Sequence, residues 1–285
     1  MADLLLKGAS LAARLLPDPV KQAIYRIPPL ASLVRRVLNR AAPTELVQVK
    51  VAAGNLEGCP MVLDLQTEKD YWLGTYEPAL QRALTDLVRP GTIAYDVGAN
   101  IGYITLLLAK AVGEAGRVYA FEALPSNVDR LRTNIALNSL TGRVVVFAGA
   151  VTEASGSVRF LVHASAGMGK VAGSAGRSVH YESELTVPGI SLDEFVYTQG
   201  NPPPQVVKMD IEGGEVLALP GMQRVLGEAR PLLLLELHGP ESARTAWQAL
   251  GRASYKVSWM KPGYPPVPTL ERMDWKAYIV ARPLG

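Results

Sequence analysis

The stretch Tyr95-Asp96-Val97-Gly98-Ala99-Asn100-Ile101-Gly102-Tyr103-Ile104-Thr105 decides how this chain folds. Residues Thr92 to Val97 have the length and apolarity of a buried strand, and a turn with two glycines ends it. Ile104, Leu107, Leu108 and Ala111 then recur at helical spacing. Strand, glycine turn and helix in that order bring unpaired helix N–H groups to the C-terminal edge of a sheet, where a negatively charged group can bind.

A glycine turn of this kind also serves close strand–helix packing, so its downstream context matters. Val118-Tyr119-Ala120-Phe121-Glu122 is a second apolar strand ending in a carboxylate. It lies about 20 residues past the glycines, the distance at which such folds set an acid on ribose hydroxyls. The pattern is Gly98-x-x-x-Gly102 preceded by Asp96, without the second close glycine that admits a pyrophosphate. A single nucleoside with an amino-acid tail fits better, which points to S-adenosylmethionine. Asp96 and the backbone at Gly98 would take the methionine ammonium, the segment from Asn100 through Gly102 to Thr105 its carboxylate, and Glu122 the ribose.

These residues resemble the FkbM-type family of S-adenosylmethionine-dependent methyltransferases. The resemblance runs from about Gly74 to Trp259 and includes Gly74-Thr75-Tyr76-Glu77-Pro78, the Asp96–Thr105 turn and Phe121-Glu122 with Pro125. It continues through Asn134-Ile135-Ala136-Leu137-Asn138, Lys208-Met209-Asp210-Ile211-Glu212-Gly213-Gly214-Glu215 and Leu235-Glu236-Leu237-His238. The Lys-x-Asp-x-Glu-Gly-x-Glu run is its most specific part, and Ala123 departs from the usual proline. The resemblance implies O-methylation of a sugar, a glycolipid or glycan precursor, or a secondary metabolite. It also adds Glu77, Ala123, Ala150 and Asp210 to the expected donor site.

The expected fold is α/β: a Rossmann-like class I methyltransferase core with a mostly parallel seven-stranded sheet and helices on both faces. Its strands are read at 92–97, 117–122, 144–149, 205–210, 231–237, 254–260 and 275–281. Helices are read at 79–88, 103–112, 126–138, 191–197, 215–226 and 241–250. The methyltransferase domain is set at 74–285, preceded by an N-terminal extension over 1–73 that ends in a hairpin of 45–51 with 61–66. Residues 152–190 interrupt the alternation. One strand is read at 157–162, and the stretch 164–178, rich in Gly, Ala and Ser, has little to bury, so a mobile insertion is expected.

Charge is distributed unevenly. Residues 1–42 hold seven Lys/Arg against two Asp, whereas the rest carries 22 basic against 24 acidic residues. A nearly neutral body argues against a nucleic-acid footprint, which disfavours an RNA methyltransferase. In the arm, Leu30, Leu33, Val34, Val37 and Leu38 form a helical stripe, with Arg35, Arg36 and Arg40 mostly off it. Such a helix either packs on the domain or lies on an anionic membrane surface. The single Cys59 excludes an intrachain disulfide. With no transmembrane-length apolar run and no secretory signal read, a cytoplasmic enzyme is expected, with peripheral contact at the inner membrane face left open.

Transfer of a methyl group to an alcohol needs a base within hydrogen-bond reach of the acceptor. His238, at the end of the fifth strand, has the intrinsic pKa suited to that work. Asp210, after the fourth, could act as base or hold acceptor or donor. Glu215 is expected to serve the first helical turn. Asp210, Glu236 and His238 could also hold Mg²⁺, but nothing in their spacing demands it, so no metal is expected. A module that binds the donor without turnover remains the non-enzymatic alternative, and the sequence is silent on oligomeric state.

Overall fold

The computed structural model describes residues 42–284 together with residues 8, 11, 12, 36 and 40. The stripe of Leu30, Leu33, Val34, Val37 and Leu38 therefore lies outside the described residues; of the arginines off it, Arg36 and Arg40 are described and exposed. Contacts divide the chain into two units, Met1–Pro78 with Ala136–Asn138, and Ala79–Ile135 with Ser139–Gly285.

In the first unit, β1 (Val47–Lys50) and β2 (Pro60–Leu63) pair antiparallel with Val47 opposite Leu63, forming the expected hairpin. A short helix, α1 (Lys69–Trp72), follows. Gly74 closes this unit tightly. Its φ is +73°, and a Cβ there would meet the Ala53 carbonyl oxygen at 1.9 Å.

The second unit begins on α2 (Pro78–Leu87) and alternates as expected: β3 (Ile93–Val97), α3 (Tyr103–Val112), β4 (Arg117–Glu122), α4 (Pro125–Leu137) and β5 (Val144–Ala148). Four further strands are β6 (Ala150–Val151), β7 (Gly156–Val162), β8 (Lys170–Val171) and β9 (Ser183–Ile190). The chain then returns through α5 (Leu192–Tyr197), β10 (Val206–Met209), α6 (Glu215–Ala218), β11 (Leu232–His238), α7 (Gly239–Arg252), β12 (Tyr255–Trp259) and β13 (Lys276–Pro283).

Seven strands form the main sheet in the order β12-β13-β11-β10-β3-β4-β5. β13 runs antiparallel to both its neighbours, and the remaining pairings are parallel. The order reverses between β3 and β10, which makes the crevice beyond their C-terminal ends the natural ligand site. One sheet face, with Tyr95, Val97, Tyr119, Phe121, Val207, Met209, Leu233, Leu235 and Leu237, joins residues of α5, the 218–226 segment and α7 in one buried cluster. α3 contacts β3 and β4, and its Thr105 reaches Asp96 on the opposite face.

Two expectations need correction. The single helix read at 215–226 is instead a four-residue α-turn, a 3-10 turn at Pro220–Met222 and a π-helical turn at Val225–Ala229. Pro220 has no N–H to continue the α ladder, which explains the break. The 152–190 segment, read with one strand, holds three. β7 pairs antiparallel with β8 and β9, and β6 joins parallel to β9. Phe160, Val171 and Val187 bury against Leu124 and Ala150, giving this sheet an apolar cluster that the Gly and Ser content concealed.

Candidate active site

Alternation along strands puts Asp96, Glu122, Lys208, Glu236 and His238 on the face opposite the large apolar cluster. Asp96 and Lys208 are register partners on β3 and β10. The Lys208 ammonium lies 3.1 Å from Asp96 Oδ1 and donates to the Gly98 carbonyl at 2.8 Å. Thr105 donates its hydroxyl to Asp96 Oδ2 at 2.6 Å. Both Asp96 oxygens are thereby engaged beneath the turn. Sequence reasoning gave Lys208 no role, although a lysine inside an apolar strand requires a buried partner.

The turn itself is set by backbone demands. Gly98 has φ +79°, and a Cβ there would stand 1.9 Å from the Asp210 carbonyl oxygen, so glycine is what lets β3 and the end of β10 approach. Gly102 has φ +96° and faces Leu131, which a Cβ would approach to 2.7 Å. Asn100 is left-handed at φ +50°, and its N–H donates to Glu122 Oε2 at 2.8 Å. Leu124 N–H donates to Glu122 Oε1 at the same distance. Burial pushes the Glu122 carboxyl above its ordinary pKa, while these N–H groups and Asn127 pull the other way. Asn134 on α4 donates to the Ile101 carbonyl at 2.8 Å and holds the turn from behind, another role not read from sequence.

These features fit an S-adenosylmethionine tail and ribose. The ten-residue helix α3 starts at Gly102 with no side-chain cap, leaving its first turn for an anionic group. Glu122 ends β4 beside it, and its two oxygens, with about four lone-pair sites, keep acceptor capacity beyond the bonds from Asn100, Leu124 and Asn127. The side chain of Ala150 belongs to the small apolar cluster and Ala123 packs against it. Glu77 belongs to the first unit, with a left-handed φ of +44°.

At the end of β11, four carboxylates surround His238. Its Nε2 lies 3.0 Å from Glu236 Oε1, 3.7 Å from Glu212 Oε2 and 3.8 Å from Asp210 Oδ1, and its Nδ1 lies 3.5 Å from Glu215 Oε1. The ring is 1% exposed, and neither ring nitrogen has a hydrogen-bond partner, so these are charge contacts. Burial depresses the imidazole, but Glu215, Glu236 and the charge of Asp210 outweigh it and raise its pKa to about 10. Asp210 is raised to about 7 by burial and by Glu236, with Lys208 and His238 opposing. Both groups move up, so Asp210, not His238, is the one left near neutral pH.

Glu215 is fully buried. It accepts from Ile211 N–H at 3.2 Å and from the Ser242 hydroxyl at 2.8 Å, so it joins the 210–215 turn to α7. The other two histidines sit on the insertion: His163 Nδ1 accepts from Ser165 N–H, and His180 is exposed. Asp210, Glu236 and His238 each offer a ligand atom within 4.8 Å of the others, close enough to surround an ion. The Lys276 ammonium, however, rests on Glu236 Oε1 and gives that carboxylate a cation from the chain itself.

Residues 96–257 match the model described as the methyltransferase FkbM domain, more than half of the chain. The chain belongs to the FkbM methyltransferase family, and with it to the S-adenosylmethionine-dependent methyltransferases. It is 29% identical over 181 residues to the hexuronic acid methyltransferase AglP of Haloferax volcanii, covering 63% of this chain and 70% of that protein. A 61-residue stretch is 41% identical to the protein-L-isoaspartate O-methyltransferase of Aeropyrum pernix, spanning 21% of this chain and 24% of the relative. The methyltransferase FkbM of Methylobacillus flagellatus aligns over 76% of this chain and 53% of its own, with 18% identity and a TM-score of 0.45. The O-methyltransferase of Bacillus cereus in complex with SAH aligns over 73% and 82%, with 16% identity and a TM-score of 0.45.

Proposed function

We propose that the protein transfers a methyl group from S-adenosylmethionine to a hydroxyl oxygen of a sugar or sugar-containing acceptor. The observation that carries the reading is the position of Asp210. It follows β10 where β3 and β10 part, against the Gly98 turn, and its carboxylate lies beside Glu236 and His238, with burial and Glu236 raising its pKa toward neutrality. A base is most effective when its pKa lies near the working pH. The naming of AglP as a hexuronic acid methyltransferase supports a sugar as the acceptor class.

The donor supplies an electrophilic methyl group on a sulfonium, and the rest is the work of this chain. Glu122 accepts from the ribose hydroxyls, and the open start of α3 takes the carboxylate. Asp96, engaged with Lys208 and Thr105, shapes the turn from beneath. Asp210 accepts the acceptor's hydroxyl proton as the oxygen–carbon bond forms and the carbon–sulfur bond breaks, leaving S-adenosylhomocysteine. His238, protonated at neutral pH, stays between the carboxylates, keeping Asp210 oriented and its pKa from rising further. Of the two candidate bases, His238 and Asp210, this reading gives the role to Asp210.

Incubation with methyl-labelled donor and cell extract, then identification of the labelled product, tests the reading. An O-methylated glycan or sugar metabolite is expected. Labelled RNA, or donor binding without any labelled product, would support the rivals instead.

We further place the enzyme in the cytoplasm, with residues 1–42 drawing it to anionic lipid at the inner membrane face. Among the described residues no helix is long and apolar enough to cross a membrane. Co-sedimentation with anionic liposomes should be stronger for the full chain than for a form starting at Thr44, and salt should weaken it. Equal recovery of the two would remove the membrane role.

A further inference from the structure

The insertion builds a groove next to the acidic cluster. Backbone contacts lay its 174–177 segment against the turn after β10: Ala175 N–H donates to the Gly213 carbonyl at 3.0 Å. A Cβ on Gly176 would meet the Glu212 carbonyl oxygen at 2.8 Å. The groove, of about 610 Å³, is lined by this segment with Lys170 and Tyr181, by Gly239 to Glu241 at the start of α7, and by Trp275. That volume lies in the range of small-molecule sites, roughly 300–1,000 Å³. Gly239 N–H donates to the Trp275 carbonyl, and the Trp275 ring meets the His238 ring edge-on at 6.1 Å. One end of the groove therefore adjoins the residues that surround Asp210.

Its lining is chemically specific. Trp275 is 40% exposed, and the part of its ring left clear of Arg177 is an aromatic surface against which the C–H face of a pyranose can lie. The Ser174 hydroxyl is buried and has no hydrogen-bond partner. The Arg177 guanidinium stands 5.1 Å from the Trp275 ring centre. Lys170 is buried, and its ammonium donates to the Ala175 and Arg177 carbonyls at 2.8 and 2.9 Å, which fixes the loop that carries Arg177. The lining thus holds two cations, Lys170 and Arg177, and one carboxylate, Glu241. A guanidinium fork matches a carboxylate in a bidentate manner.

We propose that this groove is the acceptor site and that it selects an acidic sugar, with the pyranose on Trp275 and its carboxylate at Arg177. The inference rests on the methyl-transfer reading and adds the acceptor's charge and the residues that read it. Charge also fixes orientation. An anionic acceptor is repelled by Glu212 and by ionised Asp210, so its carboxylate turns to Arg177 and a hydroxyl is left toward Asp210.

The test uses the full chain saturated with S-adenosylhomocysteine and two probes, 4-nitrophenyl β-D-glucuronide and 4-nitrophenyl β-D-glucoside, with binding followed by ligand-observed NMR titration. The glucuronide should bind about ten-fold more tightly, as a charge-assisted contact provides. Arg177→Gln should remove that preference, and Trp275→Ala should weaken both probes alike. Equal affinity of the parent protein for the two, no saturable binding of either, or a preference that survives Arg177→Gln would overturn the proposal. Failure to bind S-adenosylhomocysteine itself would instead count against the methyl-transfer reading.

Discussion

Lys208 and Asp96 face each other across the β10–β3 pairing, their charged groups 3.1 Å apart and their side chains 4% and 0% exposed. The pair lies where the strand order reverses, under the glycine turn, and Lys208 also donates to Gly98. One buried ammonium therefore fixes the carboxylate, the turn and the neighbouring strand together. It also moderates Asp210, two residues further along the chain.

Breaking this pair from one side should be costly, because the remaining charge stays buried without its partner. Lys208→Met is expected to lower unfolding free energy by about 3–5 kcal/mol, and Asp96→Asn combined with it should recover part of that loss. Denaturant titration of both variants checks this. A Lys208→Met protein as stable as the parent would mean that the turn holds itself.

Donor affinity should depend on Glu122, which ends β4 and joins the Asn100 and Leu124 N–H groups. Glu122→Ala is expected to weaken S-adenosylhomocysteine binding by about 1–3 kcal/mol. Calorimetry on the folded variant measures it. Unchanged affinity would remove Glu122 from the donor site.

The periodicity of the chain made most of this legible. The strands that line the switch point are continuous apolar runs, and Asp96, Glu122, Asp210 and His238 stand at or next to their ends, so the strands and the candidate site residues were read from one pattern. The irregular path from Glu215 to Ala229 did not, because Pro220 interrupts a stretch whose apolar spacing is helical. β8 and β9 were missed because an insertion's strands are recognised by what they bury, and Phe160, Val171 and Val187 are far apart in sequence. The upward shift of both His238 and Asp210, which leaves Asp210 near neutral pH, lay beyond sequence altogether. It depends on how many carboxylates the fold gathers around one imidazole.

Removal of divalent metal should leave turnover intact. Glu236 already has the Lys276 ammonium, whose pKa is raised by that carboxylate against the effect of burial. Exhaustive dialysis against EDTA, then assay with and without Mg²⁺, is the comparison. Activity lost on chelation and restored by Mg²⁺ would reassign Asp210, Glu236 and His238 as ligands.

The rate should trace a bell against pH. Asp210 is faced by Glu236, Glu212, His238 and Lys208, and its pKa of about 7 lies well above the ordinary carboxylate range. Only the ionised form accepts a proton, so turnover should rise as pH passes through about 7. His238 lies among Glu215, Glu236, Asp210 and Glu212 and loses its proton near 10, so the loss of its positive charge should lower the rate on the alkaline side. Asp210→Asn should reduce kcat by roughly 10²–10⁴-fold and abolish the acid limb. His238→Ala should shift that limb upward, since a cation that favours the Asp210 carboxylate is gone. If His238 were the base instead, Asp210→Asn would keep activity within a few-fold of the parent and His238→Ala would erase the acid limb. The pair of profiles therefore decides between the two residues.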